Sequence, residues 1–148
     1  MPTEKTRIGW REWVSFPDLG LPHIKAKIDT GARTSALHAF DIETYTEKGI
    51  EMVWFAIHPA QKRRDIVQEC RCELHDQRWV SDSGGHREKR YVIKTNIHMA
   101  GQTWPIELTL TNRDTMKFRM LLGRTGMSER FVVDPSSSYL LGKRKTHY

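Results

Sequence analysis

The chain has 148 residues, of which 38% are hydrophobic and 28% are charged. Such a composition excludes a low-complexity or fibrous protein, and we expect residues 1–148 to form one domain, with a core at about 7–135 and a basic tail at 142–148. The sequence has neither a long apolar run nor the apolar centre of a signal peptide, which predicts a cytoplasmic protein without a membrane partner.

The net charge of +6 indicates an acidic partner. Two basic runs, at residues 61–64 and 142–145, are also typical of solvated surface. The sequence contains no helix-turn-helix, RNA-recognition or zinc-finger spacing, so a sequence-specific nucleic-acid partner is not expected.

Apolar and polar residues alternate through most of the first half of the chain. This period of two predicts strands at residues 8–14, 24–28 and 35–42. Turn residues interrupt the pattern at 16–22 and again at 46–49, where a hairpin is expected. A more continuous apolar run predicts a strand at 50–58, in which residues 52–57 are buried on both faces.

The second half continues in the same way. Strands are predicted at 65–80, 90–97 and 104–111, with a polar loop at 81–86 and a hairpin through 100–102. A short buried strand at 120–122 precedes one or two helical turns at 123–130 and a last strand at 131–135. Many short strands with one helix candidate predict an all-β protein, built as a closed antiparallel β-barrel.

The most informative stretch runs from residue 26 to residue 39 and contains Asp29-Thr30-Gly31. These three residue types are common in turns, and by themselves they predict a turn only. Here they directly follow an apolar strand, which would hold the Asp29 carboxylate at the rim of a sheet. The loop continues into Thr34-Ser35-Ala36-Leu37, and a second short element, Met120-Leu121-Leu122-Gly123-Arg124, follows far downstream.

Together these two elements resemble the catalytic loop of the retropepsin-type aspartic proteases and the apolar-apolar-Gly-Arg element that lies beneath it. A more specific resemblance to one bacterial family is found in four segments, at residues 9–14, 25–39, 90–93 and 108–113. That family is known as RimB-like retropepsins and is also labelled ATP-dependent zinc proteases. The resemblance covers about residues 7–135 and implies one lobe of a retropepsin-like barrel per chain.

The resemblance implies peptide hydrolysis by two carboxylates that share one proton. The catalytic residues would be Asp29, Thr30 and Gly31. Because the chain has one convincing Asp-Thr-Gly, the second carboxylate is expected from a homodimer. An internal rival, Asp82-Ser83-Gly84, lies where a retropepsin has its flap hairpin, and the flap is the better interpretation.

The same family resemblance indicates residues that would bind substrate or brace the site. Arg33 places a carboxylate-binding group beside the cleft, where retroviral enzymes tend to be acidic. Family members are often encoded beside RimK-type glutamate ligases, so an acidic protein or peptide, with a glutamylated ribosomal protein as one candidate, is the expected substrate. The substrate-binding candidates are Arg33, His38, Arg90 and Arg113, with Arg11 also facing the cleft. For His38, a hydrogen-bonded structural histidine is the slightly favoured interpretation, and Gly123 and Arg124 are assigned to structure and dimer contacts.

Two alternatives stay open on the residues alone. Cys70, Cys72 and His75 form the one cluster that a zinc-dependent peptidase could use, although structural zinc sites usually space their cysteines differently. Two reduced cysteines in a strand are therefore the simpler interpretation, and no metal is expected. Nucleotide-binding motifs are also absent from the sequence, so no nucleotide or other cofactor is expected. The second alternative is a non-catalytic module that binds an acidic partner in the same basic cleft.

Overall fold

A computed structural model describes residues 5–60, 65–81, 84–112, 118–127 and 129–142. Almost all of the regular structure in these residues is β-strand. A short 3-10 helix covers Pro17–Leu19, and one turn of α-helix, α1, covers Arg124–Met127. The described strands are β1 (Thr6–Gly9), β2 (Arg11–Phe16), β3 (Leu21–Ile28), β4 (Ser35–His38), β5 (Asp41–Glu47), β6 (Ile50–Ile57), β7 (Gln68–Glu73), β8 (Asp76–Ser81), β9 (Arg87–Met99), β10 (Gln102–Thr111), β11 (Met120–Leu122) and β12 (Phe131–Asp134).

Six of these strands close into a barrel, which confirms the all-β barrel prediction. Their order is β10-β4-β11-β3-β2-β9, and β9 pairs again with β10 to close the ring. The barrel is mixed rather than wholly antiparallel, because β10 runs parallel to β4 and β11 runs parallel to β3. Each of these two pairs joins strands that are distant in sequence. The alternation of apolar and polar residues along one strand does not show which strand pairs with it.

Two smaller sheets flank the barrel. Strands β5, β6 and β7 form an antiparallel sheet, and β1 pairs in parallel with β12. The side chains of Val53, Phe55 and Ile57 from β6 join the same buried cluster as the barrel residues. The three-stranded sheet therefore covers one side of the barrel and shares its core.

Three predicted strands are each two strands in the structure. The predicted strand at 8–14 breaks at Trp10, that at 35–42 breaks after His38, and that at 65–80 breaks at residues 74 and 75. At each break the chain leaves one sheet for another while alternation continues. For example, Leu74 donates its N–H to Glu51 in β6, and His75 donates to Val92 in β9.

The remaining predictions lie close to the observed elements. The hairpins at 46–49 and 100–102 are confirmed, with positive φ angles at Lys48, Gly49, Ala100 and Gly101 that match tight two-residue turns. Of residues 52–57 in β6, Val53, Phe55, Ala56 and Ile57 are buried and Met52 and Trp54 are partly exposed, so burial on both faces is complete only from Phe55 to Ile57. Within the described residues, no helix is long and apolar enough to cross a membrane.

A buried carboxylate fixes the chain after β12 against β2. Glu12 has no exposed surface and accepts N–H bonds from Gly9, Leu140 and Leu141 at 2.7, 2.9 and 3.2 Å. A Cβ on Gly9 would lie 2.3 Å from the carbonyl oxygen of Ser137, so only glycine allows this approach. Residues 137–141 thus lie along the edge of β2.

A long hairpin of β8 and β9 extends from the barrel, with Ser81 opposite Arg87 near its end. Its base is tied to β10 by Arg78, which donates two bonds to Glu107 at 2.7 and 3.2 Å. Hydrogen bonding to Arg78 holds the pKa of Glu107 and of Asp76 below the usual range. The hairpin lies where the sequence predicts a flap. Asp82 and Ser83, which would form the rival triplet, lie outside the described residues.

Candidate active site

Asp29 stands at the end of β3, where the alternating strand predicts it. Its main-chain N–H donates to the carbonyl of Leu122 in β11 at 2.9 Å. The Oδ1 atom accepts the N–H of Gly31 at 3.0 Å, and the Asp29 carbonyl accepts the N–H of Ala32 at 3.2 Å. The side chain, half-buried, is therefore held in one orientation by its own loop.

The loop after Asp29 crosses the end of β11, because β11 lies between β3 and β4 in the barrel. Gly123 follows β11 at this crossing, and a Cβ there would lie 2.4 Å from the carbonyl oxygen of Thr34. Its N–H donates to the Ser35 hydroxyl at 3.0 Å. Gly123 thus has a steric reason to be glycine, and Ser35 has a role that the motif alone does not reveal.

Arg124 holds the loop from below through two carbonyls. Its N–H donates to Ala32 at 2.8 Å, and one guanidinium nitrogen donates to Thr30 at 3.0 Å. Thr125 adds bonds from its N–H and its hydroxyl to the carbonyl of Arg33. These contacts of Arg124 lie within one chain, and its assignment to a dimer contact stays a prediction.

Thr30 and Gly31 lie at the centre of a tight turn, as expected, which the bond from the Ala32 N–H to the Asp29 carbonyl closes. The φ of Gly31 lies outside the left-handed region, and a Cβ would meet the Asp29 Oδ1 atom at 3.3 Å. The constraint at Gly31 is thus closeness to the carboxylate rather than backbone strain. Thr30 and Gly31 are both exposed, so the loop presents Asp29 toward solvent.

The Asp29 carboxylate has no basic partner in the described part of the chain. The Gly31 N–H is its one protein donor there, and Oδ2 accepts no bond. Arg33 is exposed on the same loop, and Lys27 is exposed on β3 two residues before Asp29. A half-buried carboxylate with one free oxygen can bind a water molecule and take a proton from it.

The structure does not bring all of the predicted substrate-binding residues to this loop. His38 is 4% exposed and lies at the far end of β4, about 10 Å along the strand from Ser35. Arg90 is also buried and donates to Glu88 at 3.1 Å. Both placements favour structural roles, while substrate contacts stay a prediction. Arg113 lies outside the described residues.

Cys70 and Cys72 of the zinc alternative share the core-facing side of β7, whereas His75 lies beyond the end of that strand. The Cys70 thiol donates to the carbonyl of Leu19, and the His75 ring contacts Glu107 at 3.4 Å. Burial raises the pKa of Cys70 to about 12 and that of Cys72 to about 11. Among the described residues, no group of three or more histidine, cysteine or acidic side chains is placed to hold a metal ion. The donor set therefore does not favour a zinc centre.

Comparisons with known proteins extend over nearly the whole chain. A family model described as "RimB-like: Retropepsin-like aspartic endopeptidase RimB" matches residues 7–144. Proteins named probable alpha-L-glutamate ligase are also similar, with 48% identity over 144 residues for Shewanella pealeana and 46% over 139 residues for Desulfotalea psychrophila. The alignments cover 97% and 94% of this chain but only 31% and 30% of those relatives, so the chain spans about a third of their length.

A solved structure has a similar fold. The crystal structure of a protein of unknown function from Legionella pneumophila is 26% identical and superposes with a TM-score of 0.76. The match covers 93% of this chain and 98% of that one. The barrel with its flanking sheets is therefore an arrangement that also occurs in an experimentally determined protein.

Proposed function

Because the chain belongs to the RimB-like family of retropepsin-like proteins, we propose that it is an aspartic peptidase that cleaves or trims acidic, glutamate-tailed protein substrates. The observation that carries this proposal is the Asp29 carboxylate, which is oriented by the Gly31 N–H and whose second oxygen accepts no bond from the residues that the structure describes. Gly123 and Arg124 support the loop from beneath.

Hydrolysis would need a second carboxylate close to Asp29. Two such groups share one proton, because two like charges at hydrogen-bond distance cannot both ionise. The ionised one takes a proton from water, which then attacks the peptide carbonyl, and the protonated one donates to the carbonyl oxygen. The proposed source is Asp29 of a second copy in a two-fold homodimer.

The acidic substrate is supported by charge and by the named relatives. The chain carries a net charge of +6, and Arg33 and Lys27 are exposed close to Asp29. The relatives that contain a region similar to this chain are named as glutamate ligases. A hydrolase for glutamate-rich tails, including that of a glutamylated ribosomal protein, would remove what a ligase adds. A cytoplasmic location fits this pairing.

Mass spectrometry of a glutamate-tailed peptide tests the chemistry directly. We expect the wild type to shorten the tail and Asp29→Asn to leave it intact. The matched control is Asp41→Asn, since Asp41 is exposed at the start of β5 in the flanking sheet. Retained cleavage by Asp29→Asn, or loss of cleavage on chelation alone, would contradict the aspartic mechanism. Tail binding without cleavage would instead identify a binding module.

Subunit mixing tests the shared dyad. If each site needs Asp29 from both copies, an equal mixture with Asp29→Asn leaves only about a quarter of the dimers active after exchange. Independent sites in each chain would leave about half of the activity. Activity should also fall on dilution below the dimer dissociation constant, and full activity of a monomer would refute the dimeric site.

A further inference from the structure

The outer face of β2 and β3 carries a set of cations that leads toward Asp29. In β3, Ile24, Ala26 and Ile28 enter the core, so the alternate residues Lys25 and Lys27 face outward. Successive outward residues on a strand are about 6.6 Å apart. Lys25 and Lys27 therefore lie in a row on the outer face of β3, and Asp29 is the next alternate residue of the chain.

The neighbouring strand widens this positive surface. Arg11 lies directly opposite Lys27, and Trp13 lies opposite Lys25, in the register of β2 against β3. Side chains at such positions have their Cβ atoms about 5 Å apart. Arg11, Lys25 and Lys27 are named the basic strip below.

Like charges that face each other across two strands repel, so their placement has to be supported. Aromatic rings supply that support: the Arg11 guanidinium lies 4.7 Å from the Trp10 ring and 4.9 Å from the Tyr139 ring. Its Nε also donates to the Ser138 hydroxyl at 3.1 Å. These contacts fix the direction of the Arg11 guanidinium.

Lys25 is held in a similar way, with its ammonium 5.4 Å from the Trp13 ring and 6.0 Å from the Tyr139 ring. In the part of the chain that the structure describes, no carboxylate forms an ion pair with any member of the basic strip. Ring contacts thus hold two of the three cations in place, Arg11 and Lys25, and no carboxylate among the described residues neutralises the strip.

We propose that the basic strip is a substrate subsite which binds the carboxylates of an extended acidic peptide on one side of the bond that Asp29 cleaves. This inference rests on the proposed function and names how that site selects its substrate. An extended chain places alternate side chains about 6.6–6.8 Å apart on one face, which equals the step from Lys25 to Lys27. A glutamate tail lying along β3 would therefore present a carboxylate to each lysine in turn.

Binding is measured separately from cleavage, so that the two proposals can fail separately. The probe is a fluorescently labelled hexaglutamate peptide, and the protein is the full chain with Asp29→Asn. Binding of the peptide is measured by fluorescence anisotropy. The test variants add Lys25→Gln and Lys27→Gln together. The control adds Lys94→Gln, because Lys94 is an exposed lysine on β9 and removes the same kind of charge. Thermal unfolding confirms that each variant is folded.

We expect the double variant to weaken hexaglutamate binding about tenfold and to reduce its salt dependence, because two partly exposed charge contacts are lost. The Lys94→Gln control should bind as the parent does. The control removes one charge and the double variant removes two, so weakening of about threefold by the control would show a general charge effect and overturn the subsite. Absence of detectable hexaglutamate binding by the parent would overturn it as well.

Two further measurements test the kind of ligand and the effect of the basic strip on cleavage. A labelled single-stranded oligonucleotide that binds more tightly than hexaglutamate, and loses affinity in the same double variant, would overturn the acidic-peptide assignment in favour of nucleic acid. In the chain with Asp29 intact, the lysine substitutions should raise KM for the tailed peptide and leave kcat nearly unchanged. Unchanged KM together with normal cleavage would refute the basic strip while the peptidase proposal stands.

Discussion

Replacement of Glu12 by glutamine tests how the chain after β12 is held on β2. The Oε2 atom accepts the bonds from Gly9 and Leu140, and Oε1 accepts the bond from Leu141. Glutamine can keep its oxygen at the Oε2 position, but its amide group then faces the Leu141 N–H, which is also a donor. One charge-assisted bond is lost, at a cost of about 1.5–3 kcal/mol, and the other two are weakened.

We therefore expect Glu12→Gln to lower the free energy of unfolding by about 2–4 kcal/mol and Glu12→Ala to lower it further, since alanine leaves three N–H groups without acceptors. Urea unfolding followed by tryptophan fluorescence measures both. The matched control is Glu43→Gln, an exposed glutamate on β5 that should change stability by less than about 0.5 kcal/mol. If Glu12→Gln unfolds within that same margin of the wild type, the carboxylate does not anchor residues 137–141.

Three further predictions concern the loop support, acid stability and the thiols. Gly123→Ala should cost about 2–3 kcal/mol in urea unfolding and reduce cleavage, because its Cβ would meet the Thr34 carbonyl oxygen at 2.4 Å; an unchanged midpoint would contradict the steric argument. Hydrogen bonds from Ser136 hold the pKa of Asp134 well below its usual range, so its contribution to stability is present above about pH 4 and is lost as pH falls further. Asp134→Asn should flatten the fall in urea midpoint below about pH 4, and parallel curves for variant and wild type would refute this. Burial raises the pKa of Cys72 from 9.0 to about 11, so labelling by a disulfide reagent at pH 8 should be at least about tenfold slower in the folded than in the urea-unfolded chain; equal rates would be inconsistent with that burial.

The parts of the site that the sequence predicts are those encoded over short distances. Alternation from Ile24 to Ile28 places Asp29 at a strand end, and the Leu122-Gly123-Arg124 element lies beneath the loop as the resemblance implies. The all-β barrel follows from the same alternation repeated along the chain.

What the sequence could not supply depends on contacts between distant segments. The breaks at Trp10 and after His38 occur because the chain changes sheets, while its hydrophobic pattern continues without interruption. Burial of Glu12 is opposite to the usual behaviour of glutamate, and two of the three N–H groups that compensate it come from Leu140 and Leu141, 128 and 129 positions away. The position of His38 away from Asp29 depends on the register of β4 against β11, which the sequence pattern does not show.

The position of β11 between β3 and β4 also has a consequence for how the protein folds. Arg124 and Thr30, whose contact supports the Asp29 loop, are separated by 94 positions in the chain. Contacts of such long range form only after the entropy of closing a large loop has been overcome, and they are associated with slow folding. During synthesis, the Asp29 loop therefore lacks its support until β11 has left the ribosome.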